Sequence, residues 1–375
     1  MGTLDRRAVE KLLARSRREV EEGLLPGCQV ALALDGEIVA SASYGDARPD
    51  TRFALFSATK ALVAGAVWAL IGDGKIDVSK PAAHYVPSFA ANGKEVVTVE
   101  QVMLHTAGFP QAPLGPPVWS TREGRLAAFE RWRLEWKPGT RYVYHPTSAH
   151  WVLAEIIESV TGADFRDIVA TRVTEPAGLP KLLGVTGDEE GDFATLVPVG
   201  EHATPDELEA TFGVRELPGD PATTEDMLLL FNDPEVRAVG VPGGGGIGRA
   251  EDLALFYQAV LHNPGEIWRP EVLAVAIGRV RNRLPDPVSG APANRTLGLF
   301  QAGDDNFSHV RGLGRGVSPR AVGHNGAGGQ LAWGDPETGL SFGYVTNGLD
   351  RHETRQPRRG TALGTLAAIC TGRGA

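Results

Sequence analysis

The sequence predicts an α+β fold: an antiparallel sheet built from both ends of the chain, flanked by terminal helices, with a mostly helical lobe inserted between them. Three observations predict it. Strand-like runs cluster near the two ends, in CQVALALDGEIVASASYG at 28–45 and GQLAWGDPETGLSFGYVTNG at 329–348. Helical patterns lie outside both, an amphipathic one through Val9, Leu12, Leu13 and Val20 and a closing one in TALGTLAAIC. The long interval between them is patterned mainly as helix. A chain of 375 residues exceeds one compact unit, so the sheet domain is placed at 1–75 and 250–375 and the inserted helical domain at 76–249.

Each element has a local signal. Asp35-Gly36 suits a two-residue hairpin turn, and Asp335 to Gly339 marks a second turn near the C-terminus. Thr98 with Gln101 forms a capping box that opens VEQVMLH. TSAHWVLAEIIESVTG carries Trp151, Ile156, Ile157 and Val160 before Gly162 stops it. RAEDLALFYQAVLHNPG repeats helical spacing through Leu253, Phe256, Tyr257, Val260 and Leu261. Leu182 to Asp220, rich in Gly, Asp, Glu and Pro, reads as long loops. VPGGGGIG at 241–248 reads as a tight backbone passage, because it lacks the Gly-Lys-Ser/Thr ending of a phosphate loop.

Composition excludes several functions. A net charge of -9 with scattered Lys and Arg offers no face for nucleic acid. No apolar run reaches membrane-spanning length and the N-terminus lacks a signal-peptide core, so a cytoplasmic protein is expected. Cys28 and Cys370 are too few for a disulfide framework or a cysteine zinc site and are expected to be buried free thiols. His145 and His150 lack the i, i+4 spacing of a helical zinc pair, so no metal and no cofactor is expected.

The stretch FALFSATKALVAG holds the chemistry. Lys60 sits in the first turn of a helix that is otherwise apolar on every side, where an unpaired ammonium would cost on the order of 3 kcal/mol or more. Ser57 lies three residues earlier, so both share one helix face at the positive end of the helix dipole. If burial depresses the lysine pKa, a neutral amine can accept the serine proton. The pattern alone also fits a solvent-facing lysine beside a capping serine. Two further segments offer partners: Tyr144, in a loop before a helix, and the glycine-flanked His324 and Gly326 entering a strand. Each by itself reads more simply as a core or rim tyrosine or as a satisfied turn histidine.

In this order the three segments resemble the serine β-lactamase and penicillin-binding-protein superfamily, in its class C-like branch of family VIII carboxylesterase type. SATK matches the nucleophile motif, the Tyr144 segment the tyrosine motif, and His324-Asn325-Gly326 the Lys/His-x-Gly motif. LHTAGFP at 104–110, PGT at 138–140 and PGGGGIGRAEDLALF support the match, and no G-x-S-x-G elbow points elsewhere. The resemblance implies that Ser57 is acylated, that Lys60 and Tyr144 share the proton transfers, and that the N–H groups of Ser57 and Ala327 form the oxyanion hole. It also implies that His324 shapes the opposite wall and hydrogen-bonds near Tyr144.

Two departures bear on substrate. His145-Pro146 stands where the tyrosine motif usually ends in Asn, and His-Asn-Gly replaces Lys-Thr/Ser-Gly, removing an anchor for anionic substrates. The expectation is therefore a serine carboxylesterase acting on small-molecule esters of short-to-medium acyl chains. Acyl transfer and β-lactam or amide hydrolysis are the alternatives, with a non-catalytic binding protein further behind. Trp119, Trp132, Trp136, Trp151 and Trp333 are candidates for an apolar acyl pocket or for plain core. Oligomeric state has no signal in the sequence.

Overall fold

The computed structural model describes residues 3–216 and 224–371. Within them ten strands occur: β1 (Gly27–Leu34), β2 (Glu37–Gly45), β3 (Phe53–Ala54), β4 (Val197–Val199), β5 (Ile247–Gly248), β6 (Phe300–Gln301), β7 (Val322–Gly323), β8 (Leu331–Gly334), β9 (Ser341–Thr346) and β10 (Gly348–Asp350). Six form one antiparallel sheet in the order β2-β1-β9-β8-β7-β6, so both chain ends contribute, as expected. Asp35 and Gly36 both take positive φ (53° and 86°), the conformation that a tight β1–β2 turn requires.

All eight residues of β1 are buried because both faces of the sheet are covered. Cys28, Val30 and Leu32 point to a cluster with Leu12 of helix Arg6–Glu21 and Leu363 of helix Arg355–Ala368. Ala31 and Ala33 point the other way, into the core shared with helix Ala250–His262. That helix packs closely because Gly343 of β9 has no side chain: a Cβ there would sit 2.1 Å from the Ala250 carbonyl oxygen. The terminal helices are locked by charge, since Arg359 donates to Glu19 at 2.6 Å and to Asp350 at 2.7 Å.

The core on the inner sheet face continues through helix Thr59–Gly72 into helix Ser148–Thr161. The capping box at Thr98 and Gln101 forms as read, and Gly162 ends its helix in the left-handed region. The segment from Leu182 onward is more ordered than its composition suggests. Val197–Val199 pairs in parallel with β10, and Pro205–Phe212 is a helix with a Thr204/Glu207 capping box; residues 217–220 of that segment lie outside the described residues. Cys28 and Cys370 are buried free thiols. Among the described residues no helix is long and apolar enough to cross a membrane.

Candidate active site

Ser57 lies in a short turn of 3-10 helix, Phe56–Ala58, that runs directly into helix Thr59–Gly72. Phe56 precedes it at φ 45°, a conformation that costs a bulky residue on the order of 1–3 kcal/mol and is held here by edge-on packing against Phe231 at 5.5 Å. Of the 14 residues in the following helix, all but Ile71 are buried, Lys60 among them. The lysine therefore faces neither solvent nor a carboxylate. Its Nζ lies 3.1 Å from Ser57 Oγ, 2.6 Å from the Pro146 carbonyl oxygen and 2.5 Å from the Gly243 carbonyl oxygen. Burial pushes the ammonium well below its ordinary pKa, and the Arg295 charge acts in the same direction.

Both carbonyls belong to segments that the family resemblance covers, Pro146 two positions after Tyr144 and Gly243 in PGGGGIGRAEDLALF, but neither residue stood out as a ligand of the lysine. A Cβ at Gly243 would stand 2.8 Å from the Pro146 oxygen and 3.4 Å from Lys60 Nζ, so the missing side chain is what lets this strap close over the amine.

Tyr144 is brought to the same place. Lys60 Nζ is 5.0 Å from its ring centroid, and the His105 ring stacks on it at 4.7 Å. His105 sits at φ 56°, and its Nδ1 accepts the His145 N–H at 3.0 Å. His145 in turn donates from Nδ1 to the Val143 carbonyl and accepts the Phe109 N–H at Nε2. Both of its nitrogens thus shape the loop that carries Tyr144. Burial holds His145 down to about 3 and drives His105 and His150 well below the ordinary imidazole value. Among the described residues no group of three or more His, Cys, Asp or Glu is arranged to hold a metal ion.

His324, one residue beyond β7, forms the facing wall, its ring 6.0 Å from that of Tyr144. Its Nδ1 is bonded to the Asn325 carbonyl at 2.9 Å, and burial keeps it neutral by lowering its pKa well below the ordinary value. Asn325 turns its amide away from the wall, onto the Gly312 carbonyl at 3.0 Å. Gly326 donates its N–H to the Gln330 carbonyl, and its bare Cα lets the chain pass the Leu55 carbonyl, where a Cβ would come within 2.3 Å. Gln330, unremarked in the sequence, ties this turn to β3 and β9 by donating to the Ala54 and Thr346 carbonyls at 2.9 Å each. Ala327 opens a short turn, Ala327–Gly329, that rests against Phe56 through Gly328. Ser57 and Ala327 both occupy first-turn positions, where an N–H has no acceptor in its own helix.

Arg295 was also unassigned. It is fully buried, with Cζ 4.1 Å over the Phe300 ring, which lies 5.3 Å from that of His324. Of the five tryptophans, Trp119, Trp132, Trp151 and Trp333 are buried in the core and Trp136 is half-buried.

The profile of the family described as Beta-lactamase matches residues 6–367. The chain is 32% identical over 359 residues to "Esterase/beta-lactamase LipL" of Mycobacterium tuberculosis, covering 86% of this chain and 77% of the relative. Among solved structures it is similar to a family VIII carboxylesterase, with TM-score 0.78, 26% identity and 99% of each chain covered. It is also similar to a penicillin-binding protein homologue from Caulobacter crescentus, with TM-score 0.77, 25% identity and 99% of each chain covered.

Proposed function

Since the chain belongs to the Beta-lactamase family and has its β-lactamase/transpeptidase-like fold, we propose that it is a serine hydrolase cleaving carboxylic esters through an acyl-enzyme on Ser57. The observation that carries this is the trio of contacts at Lys60 Nζ. A neutral amine has two N–H bonds and one lone pair. The Pro146 and Gly243 carbonyls only accept, so they take both N–H bonds, and the lone pair is left for the Ser57 hydroxyl proton. Lys60 is then the general base for attack.

The cycle follows from the residues at hand. Ser57 Oγ loses its proton to Lys60 and attacks the ester carbonyl, while the Ser57 and Ala327 N–H groups receive the oxyanion. Tyr144, beside Lys60, delivers the proton to the leaving alcohol. Water then attacks the acyl-enzyme by the reverse relay, releasing the acid and restoring the serine. A short-to-medium acyl chain and a neutral leaving group suit a wall on which His324 is uncharged and Asn325 is turned aside.

The test is turnover of p-nitrophenyl butyrate and of nitrocefin by the wild type and Ser57→Ala. Ester turnover that vanishes in Ser57→Ala is expected, with a loss of at least about a hundredfold in Lys60→Ala and in Tyr144→Phe. Ester turnover surviving Ser57→Ala removes the nucleophile assignment. Efficient nitrocefin turnover with negligible ester turnover moves the assignment to β-lactam hydrolysis.

A further inference from the structure

We propose that Arg295 is a positioning residue for the Ser57–Lys60 chemistry, supplying the permanent cation of a site whose wall carries His324 in place of lysine. The proposal rests on the reading of Lys60 as general base.

Its isolation from carboxylates sets Arg295 apart. The other buried arginines are each ion-paired: Arg125 with Glu155, Arg237 with Glu190, Arg311 with Asp305, and Arg359 with Glu19 and Asp350. Among the described residues Arg295 has no such partner, and its Nε and Nη1 have no hydrogen-bond acceptor. Burial without a counter-charge is unfavourable, so a residue kept this way calls for a compensating use.

Its position supplies one. The segment bearing Arg295 is clamped to the helix that carries Lys60. Trp68 Nε1 donates to the Leu297 carbonyl at 2.8 Å, and Gly298 lies so close to Ala64 that a Cβ would be 2.5 Å from the alanine methyl. Phe300 covers the guanidinium on one side and meets His324 on the other. The groups within its field are the Lys60 amine, the imidazoles of His105, His150 and His324, and the phenols of Tyr142, Tyr144 and Tyr257. A fixed positive charge here disfavours a proton on the amine and the imidazoles and favours negative charge on the phenols. Both effects serve acylation: a neutral Lys60 ready to accept the Ser57 proton, and a nearby cation facing the Tyr144 oxygen when it gives its proton to the leaving alcohol.

Arginine suits the task because its charge survives burial, whereas a lysine there would itself tend to neutralise. The guanidinium is fully enclosed, so it acts through its field and not by touching substrate.

The experiment compares the wild type with Arg295→Met and Arg295→Lys, measuring pH profiles of kcat/KM on p-nitrophenyl butyrate together with thermal unfolding. Activity needs Lys60 deprotonated, so the acid limb reports its pKa, and loss of the cation must move that limb to higher pH. Arg295→Met is expected to fold with an unchanged or raised Tm and to shift the limb upward by about one unit or more, roughly tenfold in rate at a fixed pH on the limb. Arg295→Lys is expected to restore part of the shift. A folded Arg295→Met with the wild-type limb would overturn the proposal. So would an Arg295→Met that fails to fold, which would make the residue structural. Absence of any Ser57-dependent turnover in the wild type would instead strike at the esterase reading itself.

Discussion

Arg359 and Arg295 are both buried, yet the structure treats them in opposite ways. Arg359, among the terminal helices, reaches Glu19 at 2.6 Å and Asp350 at 2.7 Å, and joins the first helix to the last. Arg295, beside the candidate site, has among the described residues an aromatic face and a 3.5 Å contact to the Gly298 carbonyl but no carboxylate. The difference teaches how to tell a structural charge from a working one. A compensated charge adds to the fold, whereas an uncompensated one detracts from it and biases the protonation of its neighbours.

Substitution at the paired arginine should break the fold and spare the chemistry. Arg359→Met leaves Glu19 with Arg15 alone and Asp350 with Arg355 alone, and is expected to cost about 2–3 kcal/mol in urea unfolding while the folded fraction keeps its kcat. An unchanged unfolding midpoint would erase the contrast with Arg295.

The strap over Lys60 offers a smaller, mixed effect. In Gly243→Ala the new methyl must displace the Pro146 carbonyl, one of the two acceptors of Lys60, so ester turnover is expected to fall about tenfold with about 1–2 kcal/mol lost in stability. Wild-type kcat in this variant would show that the two carbonyls do not govern the state of Lys60.

The smallest expected effect concerns the buried neutral histidines on either side of Tyr144. His105, His145, His150 and His324 have folded pKa values lowered by burial, while the unfolded chain titrates near 6.5. The unfolded state therefore binds more protons below about pH 6.5, and stability falls as pH drops through that window, down to about 3 for His145. His150, whose two ring nitrogens have no hydrogen-bond partner among the described residues, is the cleanest probe. His150→Phe is expected to keep its Tm at pH 7 and to lose a few degrees less than the wild type between pH 7 and pH 5. An identical acid loss would exclude His150 from the titration.

What the sequence revealed follows from how local each signal is. The hairpin at Asp35-Gly36, the capping box at Thr98 and the stop at Gly162 are written in adjacent residues, and the structure has all three. Ser57 and Lys60 are three residues apart on one turn, so their encounter is also local, and Tyr144 was reached through a motif. The capping box Thr204/Glu207 with Pro205 was legible too, but the surrounding Gly and Pro masked it, and the three-residue β4 is too short to carry a period. Pro146, Gly243, Gln330 and Arg295 matter only through contacts made across long stretches of chain, as with Lys60 and Gly243, 183 positions apart. An arginine in NRTLGLF looks no different from a surface arginine until its missing carboxylate is seen.

The most direct measurement is of Ser57 itself. The protein is treated with a stoichiometric fluorophosphonate, and the adduct is located by intact-mass and peptide-mass analysis alongside Lys60→Ala. A single adduct on Ser57, formed at least about a hundredfold more slowly without the lysine, is the expected result. Labelling of another residue, or of Ser57 at the same rate in Lys60→Ala, would contradict an amine-activated serine.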